Sequence, residues 1–203
     1  MRTKIFGWMI AAGMILLAPL ALQAQGVGLQ VADTAGAGEP GRLELTPGVV
    51  FGNDVSFYGI RETYTVFEEL RAFLDLGAIN ADDSDLDFGA QAGALACVPS
   101  DDFACDLAVR VATYFVNTDN EDMFGGSLMM ISSGETLLND LYLYGGLGMD
   151  LSNRKASTAS RSRTEINPAL SAGVLFNFTD SIAAYIEVSH VDSAFIGTGI
   201  RLR

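Results

Sequence analysis

Four sets of side chains in this 203-residue chain could do chemistry, and their spacing decides what each can do. Asp82, Asp83, Asp85 and Asp87 crowd one segment, and Asp119, Glu121 and Asp122 another. Alternating acids can offer oxygen ligands to Ca²⁺, but both segments lack the glycine and closing glutamate of an EF-hand loop. An acidic solvated loop is therefore the favoured reading, and no metal site is assigned. His190, Asp192 and Ser193 sit together, the residue types of a hydrolase in which His acts as general base for a serine nucleophile. No oxyanion-hole group can be nominated beside them, so polar turn residues are preferred and no catalytic residue is assigned. Cys97 and Cys105 bracket VPSDDFA, which favours a disulfide closing one hairpin in an exported chain; two free thiols are the alternative. Arg71, Asp75, Asp87, Asp106, Arg110, Glu187 and Arg201 are charges set singly into otherwise apolar or small-residue runs.

Composition removes several classes. There are 12 Lys+Arg against 25 Asp+Glu, a net charge of −13, and no basic stripe to neutralise nucleic-acid phosphates. One His and two Cys are too few for a zinc or iron–sulfur centre, and no cofactor is expected. Only two lysines occur, Lys4 and Lys155, although mean hydropathy is +0.28. A soluble domain ordinarily covers itself with Lys and Glu, so the apolar area needs another explanation.

The N-terminus supplies part of it. Arg2 and Lys4 precede an apolar stretch, Ile5 to Leu22, that ends at Leu22-Gln23-Ala24. This pattern predicts a secretory signal peptide over residues 1–24, cleaved after Ala24, in preference to a retained anchor helix. Its removal takes away Arg2 and Lys4 and no acid, leaving 10 bases and 25 acids, net −15. No later run approaches the ~18 residues of a spanning helix. Residues 25–41, small and aperiodic (GVGLQVADTAGAGEPG from Gly26), are expected to be a flexible lead-in.

From Arg42 the pattern turns to period two. Leu141 to Ser152 is the clearest run, with Leu141, Leu143, Leu147, Met149 and Leu151 opposite Tyr142, Tyr144, Gly146, Gly148 and Asp150. Similar runs are Leu70–Ile79, Leu86–Val98, Cys105–Val116, Leu170–Phe178, Ile182–His190 and Phe195–Arg203, with weaker ones at Leu43–Phe51, Val55–Val66 and Met123–Ser132. Breaks such as FGND, NADDSD, NTDNED and TDS are mostly of hairpin length, and SNRKASTASRSRT is the longest. Ten antiparallel strands over residues 42–203, or eight without the two weak N-terminal runs, predict an all-β up-and-down meander.

The two faces decide the solvent. The more polar face carries mainly Gly, Ser, Tyr and Gln with the sparse charges above, which would make a poor water-facing surface. Inside a barrel, small residues fit a narrow lumen and opposite charges can pair. Runs near 9–11 residues also match strands tilted across a bilayer. A transmembrane β-barrel is therefore favoured over a soluble barrel that holds an apolar ligand. The lumen charges either line a solute path or form a salt-bridge network that plugs it, and the narrow bore of eight to ten strands favours the plug. On this reading the termini are periplasmic and SNRKASTASRSRT is external.

With its signal peptide, alternating hairpins and final stretch YIEVSHVDSAFIGTGIRLR, the chain resembles the small outer-membrane β-barrel proteins of Gram-negative bacteria, porin-type or YfaZ-like. The resemblance spans about residues 42–203. It implies an outer-membrane location, contact with lipid and lipopolysaccharide, insertion by the barrel-insertion machinery, and a structural, surface-interaction or narrow-pore role rather than an enzymatic one. Such chains usually end in an aromatic residue, whereas this one ends in Arg203. The His190/Ser193 cluster is similar to the His/Ser pair of a lipid A deacylase, but departs from its His-x-Ser spacing, so a membrane-embedded lipid hydrolase stands as the alternative.

Overall fold

The structure, a computed structural model, describes residues 28–29, 33–53, 55–81, 86–98, 105–118, 121–138, 140–156, 162–191 and 193–203. Ten strands follow one another: β1 (Leu43–Phe51), β2 (Val55–Phe67), β3 (Leu70–Ala81), β4 (Asp87–Val98), β5 (Asp106–Asn117), β6 (Glu121–Glu135), β7 (Leu141–Ala156), β8 (Arg163–Thr179), β9 (Ile182–Val191) and β10 (Ser193–Leu202). Each pairs antiparallel with its chain neighbours, and β1 pairs with β10 to close the barrel. The eight-strand count is excluded, because β1 and β2 are full members of the sheet. Among the described residues no helix is long and apolar enough to cross a membrane, which says nothing of crossing by strands.

The ladders give the barrel two ends. One holds the N-terminal start of β1, the C-terminus and the turns after β2, β4, β6 and β8; we call it the terminus end. The loop end holds the connections after β1, β3, β5, β7 and β9.

Strand alternation places side chains as the sequence pattern requires. Leu74, Leu76, Val111, Phe115, Leu128, Met130, Leu147, Met149, Ile186, Val188, Ile196 and Ile200 are exposed on the outer face. Arg61, Arg71, Asp75, Gln91, Arg110, Glu187 and Arg201 are buried within. Small residues make room for the inward aromatics: a Cβ at Gly173 would come within 2.4 Å of the Tyr144 ring, and one at Gly125 within 2.3 Å of Tyr114. A charge facing outward away from the loop end is Glu62, exposed between Leu45 and Leu74 on the neighbouring strands.

Two elements differ from the sequence reading. SNRKASTASRSRT is mostly strand, since β7 runs to Ala156 and β8 starts at Arg163. Its residues lack alternation because this hairpin projects at the loop end, where either face can be polar; Arg163 and Arg154 meet Glu165 there at 2.7 and 3.8 Å. The second is the expected flexible lead-in. Its described residues enter the lumen from the terminus end, and burial deepens backwards along the chain, from exposed Gly41 to fully buried Leu29. Residues 1–24, where a signal peptide is expected, residues 25–27 and residues 30–32 lie outside the described residues.

Candidate functional site

The lumen is the place where polar chemistry gathers. β2 and β3 bring Arg61 and Asp75 into register. Their contact is bidentate, with Nε to Oδ1 at 2.7 Å and Nη2 to Oδ2 at 2.8 Å, a geometry matched to a planar guanidinium. Phe73 lies between two arginines, its ring centroid 4.7 Å from Arg61 Cζ and 4.6 Å from Arg110 Cζ. Ring faces attract both cations and hold two like charges apart. Arg110 donates to Gln91 Oε1 at 2.8 Å and to Ser127 Oγ at 3.4 Å. Across the barrel Tyr144 donates to Glu187 at 2.9 Å, and Tyr114 to Asp150 at 2.7 Å.

The N-terminal segment completes this network. The Leu29 N–H donates to Asp75 Oδ2 at 3.0 Å, and its carbonyl accepts from Arg61 Nη2. Gly28 has φ of 85°, and a Cβ there would come within 2.8 Å of Asp75 Oδ2 and 2.9 Å of Gln91 Oε1. Only glycine suits both that backbone and that approach. Asp33 joins Arg71 at 2.9 Å to Arg201 at 3.1 Å. Burial works against its charge, but the two guanidiniums, with Arg61 beyond them, outweigh it and hold its carboxyl below the usual aspartate value. The Ala35 N–H donates to Ser133 Oγ at 2.8 Å, Arg71 donates to the carbonyls of Thr34 and Gly36, and the Gly38 N–H reaches the Glu68 carbonyl at 2.9 Å. At the rim Glu44 gathers Arg203 at 3.2 Å, Arg42 at 3.7 Å and Arg201 at 3.8 Å.

Of the seven charges expected inside, Arg71, Asp75, Arg110, Glu187 and Arg201 are buried in the lumen, while Asp87 and Asp106 sit at opposite rims. Four partners were missed: Arg61, Asp33, Glu44 and Asp150. For Arg61 a signal existed, since Phe57, Gly59, Arg61, Thr63 and Thr65 occupy alternate positions of β2. Asp33 has no such pattern around it.

The cysteines require a correction. Cys97 and Cys105 are both free, where a disulfide was expected. Cys97 stands opposite Ala108, three residues beyond Cys105. That stagger amounts to about 10 Å of strand, beyond the ~7 Å of Cα separation that a disulfide spans. Cys97 Sγ instead donates to the Gly36 carbonyl at 3.1 Å. The hydrolase cluster also comes apart. His190 stands opposite Ala194 on the outer face, whereas Ser193 is buried within the barrel; Asp192 lies outside the described residues. So do Asp82, Asp83, Asp85 and Asp119, and among the described residues no group of acids, His or Cys could hold a metal ion.

No protein-family model matches the chain, and no curated protein matches it. Among solved structures it is similar to the KdgM porin in complex with disordered oligogalacturonate, at 7% identity and a TM-score of 0.45, covering 79% of this chain and 98% of that one. It is similar to the N-terminal β-barrel domain of Pseudomonas aeruginosa OprF at 12% identity and 0.39, covering 80% and 97%. Acinetobacter baumannii outer membrane protein Omp33 follows at 8% identity and 0.37, covering 88% and 100%. Likenesses this distant say nothing of what the chain carries or binds, and the barrel itself is established by its own strand pairing.

Proposed function

We propose that the chain is an integral outer-membrane β-barrel with a closed lumen and a structural or surface-interaction role. The observation that carries this is the inside-out distribution of side chains. Leucine, isoleucine, valine and phenylalanine cover the outer face, while arginines and carboxylates are buried within. A soluble barrel would have to expose that apolar surface to water, whereas lipid accepts it and forbids only unpaired strand edges, which closure removes. The terminus end then faces the periplasm, and the β7–β8 hairpin projects outside. Lipid and lipopolysaccharide contact the outer face, and the barrel-insertion machinery delivers the chain.

The lumen favours the plugged form over a narrow pore. At the terminus end the N-terminal segment fills the bore; at the loop end Val50, Phe57, Ile79, Val116, Met123 and Phe195 belong to a buried apolar cluster. The separation of His190 from Ser193 onto opposite faces speaks against the hydrolase. Membrane fractionation with gel mobility before and after boiling tests the proposal. Recovery with the outer membrane and a heat-modifiable band are expected; a fully soluble mature protein would overturn it. Planar bilayers should record no steady conductance, and an open channel would restore the pore reading.

A further inference from the structure

The way the N-terminal segment is held differs from ordinary core packing. The buried apolar side chains among its described residues are those of Leu29 and Ala35. Its polar contacts with the lumen wall are mainly main-chain, with one buried carboxylate: the N–H and carbonyl of Leu29, the carbonyls of Thr34 and Gly36, the N–H groups of Ala35, Gly38 and Gly41, and Asp33 between Arg71 and Arg201. Main-chain contacts are common to any peptide, so the wall selects for exposed backbone amides and for an acid at one position.

The wall is also incomplete without such an occupant. Arg61 has Asp75 as a partner on the barrel, and Arg201 has Glu44. Arg71 is buried at 6% exposure, and every oxygen it reaches among the described residues belongs to the segment. An empty bore would therefore leave Arg71 with no carboxylate on the barrel except Glu44, which already pairs with Arg42, Arg201 and Arg203, a state that favours refilling by another acid.

We infer that the terminus-end half of the lumen is a binding site for an acidic peptide, occupied in cis by the chain's own residues 28–29 and 33–41 and open to exchange with a peptide segment offered from the periplasmic side. The inference rests on the plugged-barrel reading. A partner would carry a stretch of small residues with one aspartate or glutamate. Tethering gives the cis segment a local concentration in the millimolar range, so the wild-type barrel is occupied by default and responds only when its own segment is loosened.

The test uses the chain from residue 25 to 203, folded in detergent micelles, and a fluorescent peptide copying residues 25–41. Leu29→Gly with Asp33→Asn loosens the cis segment and leaves the wall intact. This variant should bind the peptide at least about tenfold more tightly than wild type, and a peptide with asparagine in place of Asp33 should bind it about tenfold less tightly, the scale of one charge-assisted hydrogen bond. Adding Arg71→Gln to the variant should reduce the preference for the acidic peptide, leaving the part that Arg201 supplies. In a Cys97→Ser, Cys105→Ser form of the loosened variant, Ala35→Cys with Ser133→Cys tethers the segment to the wall and should abolish binding until reductant is added. No binding by the loosened variant, equal binding of the two peptides, or equal binding before and after reduction would overturn the inference. Competition by N-acetyl-aspartate as effective as that by unlabelled peptide would assign the pocket to a small carboxylate and overturn it too. Heat-modifiable mobility of each preparation separates loss of the barrel from loss of the site.

Discussion

The two ends of the lumen are closed by different means. At the loop end the closure is side chain: Phe57, Phe195, Val50, Ile79, Val116 and Met123 are fixed to the wall by their own strands and buried together. At the terminus end it is chain: a segment whose Leu29 and Ala35 join the same apolar cluster, and whose other contacts are polar ones to Arg61, Arg71, Arg201, Asp75 and Ser133. Side chains anchored on strands cannot leave without unfolding the barrel. A segment anchored on one side can. The same bore thus has one permanent stopper and one exchangeable one.

Substitutions can break or sharpen that contrast. The largest effect is expected from Asp75→Asn, which strips the buried Arg61 of its carboxylate. Breaking such a pair costs about 3–5 kcal/mol, read as a fall in the urea midpoint of the micelle-folded barrel. Phe57→Ala at the loop end should cost a similar ~3–5 kcal/mol by leaving a cavity, and its loss should be seen in global unfolding alone. Asp33→Asn should behave differently. It weakens the segment by about 1–3 kcal/mol, seen as protease access to residues 28–41, with the unfolding midpoint of the barrel unchanged. If Asp33→Asn lowers the midpoint as much as Phe57→Ala, the two ends do not differ as described.

Acid offers a reversible form of the same experiment. Asp33 is held below its ordinary pKa by Arg71 and Arg201, so its contribution is complete above the unfolded value of about 3.9 and is lost as pH falls through the lower folded value. Protease access should therefore be constant from neutral pH down to about pH 4 and rise below it. Smaller again is Gly28→Ala, where φ of 85° and the approach to Asp75 disfavour a Cβ; about 1 kcal/mol of segment hold is expected to be lost. Arg163→Gln, whose 82% exposed side chain pairs with Glu165 on the β7–β8 hairpin, should change neither readout by more than ~0.5 kcal/mol.

The strands were legible because period two is imposed by geometry at every residue. Leu43–Phe51, for example, was read with the bounds it has in the barrel, and the inward charges followed from the same alternation. Pairing partners were less legible: Asp75 meets Arg61 on the preceding strand, and only the register of β2 against β3 says so. The hairpin of β7 and β8 was shortened because residues such as Asn153, Arg154 and Lys155 continue the ladder through their backbones without an apolar face to announce it. The segment at residues 28–41 was invisible for a related reason. Its contacts use amides that every sequence carries, so glycine and alanine composition reads the same for a loose leader and for a strand of chain threaded through a tight bore.

The pairing of β1 with β10 joins the first strand to the last, while every other ladder grows from a local hairpin. It is also interrupted, with Leu45 opposite Leu202 and the next pair at Gly48 and Gly199; Pro47, in between, has no N–H to give. Such long-range pairing meets the greatest loop-closure entropy and forms late. Asp33 reaches Arg71 on β3 and Arg201 on β10, spanning that join from within. The closing ladder thus has, on its lumen side, a charged tie from β10 to β3 that needs no backbone hydrogen bond of its own.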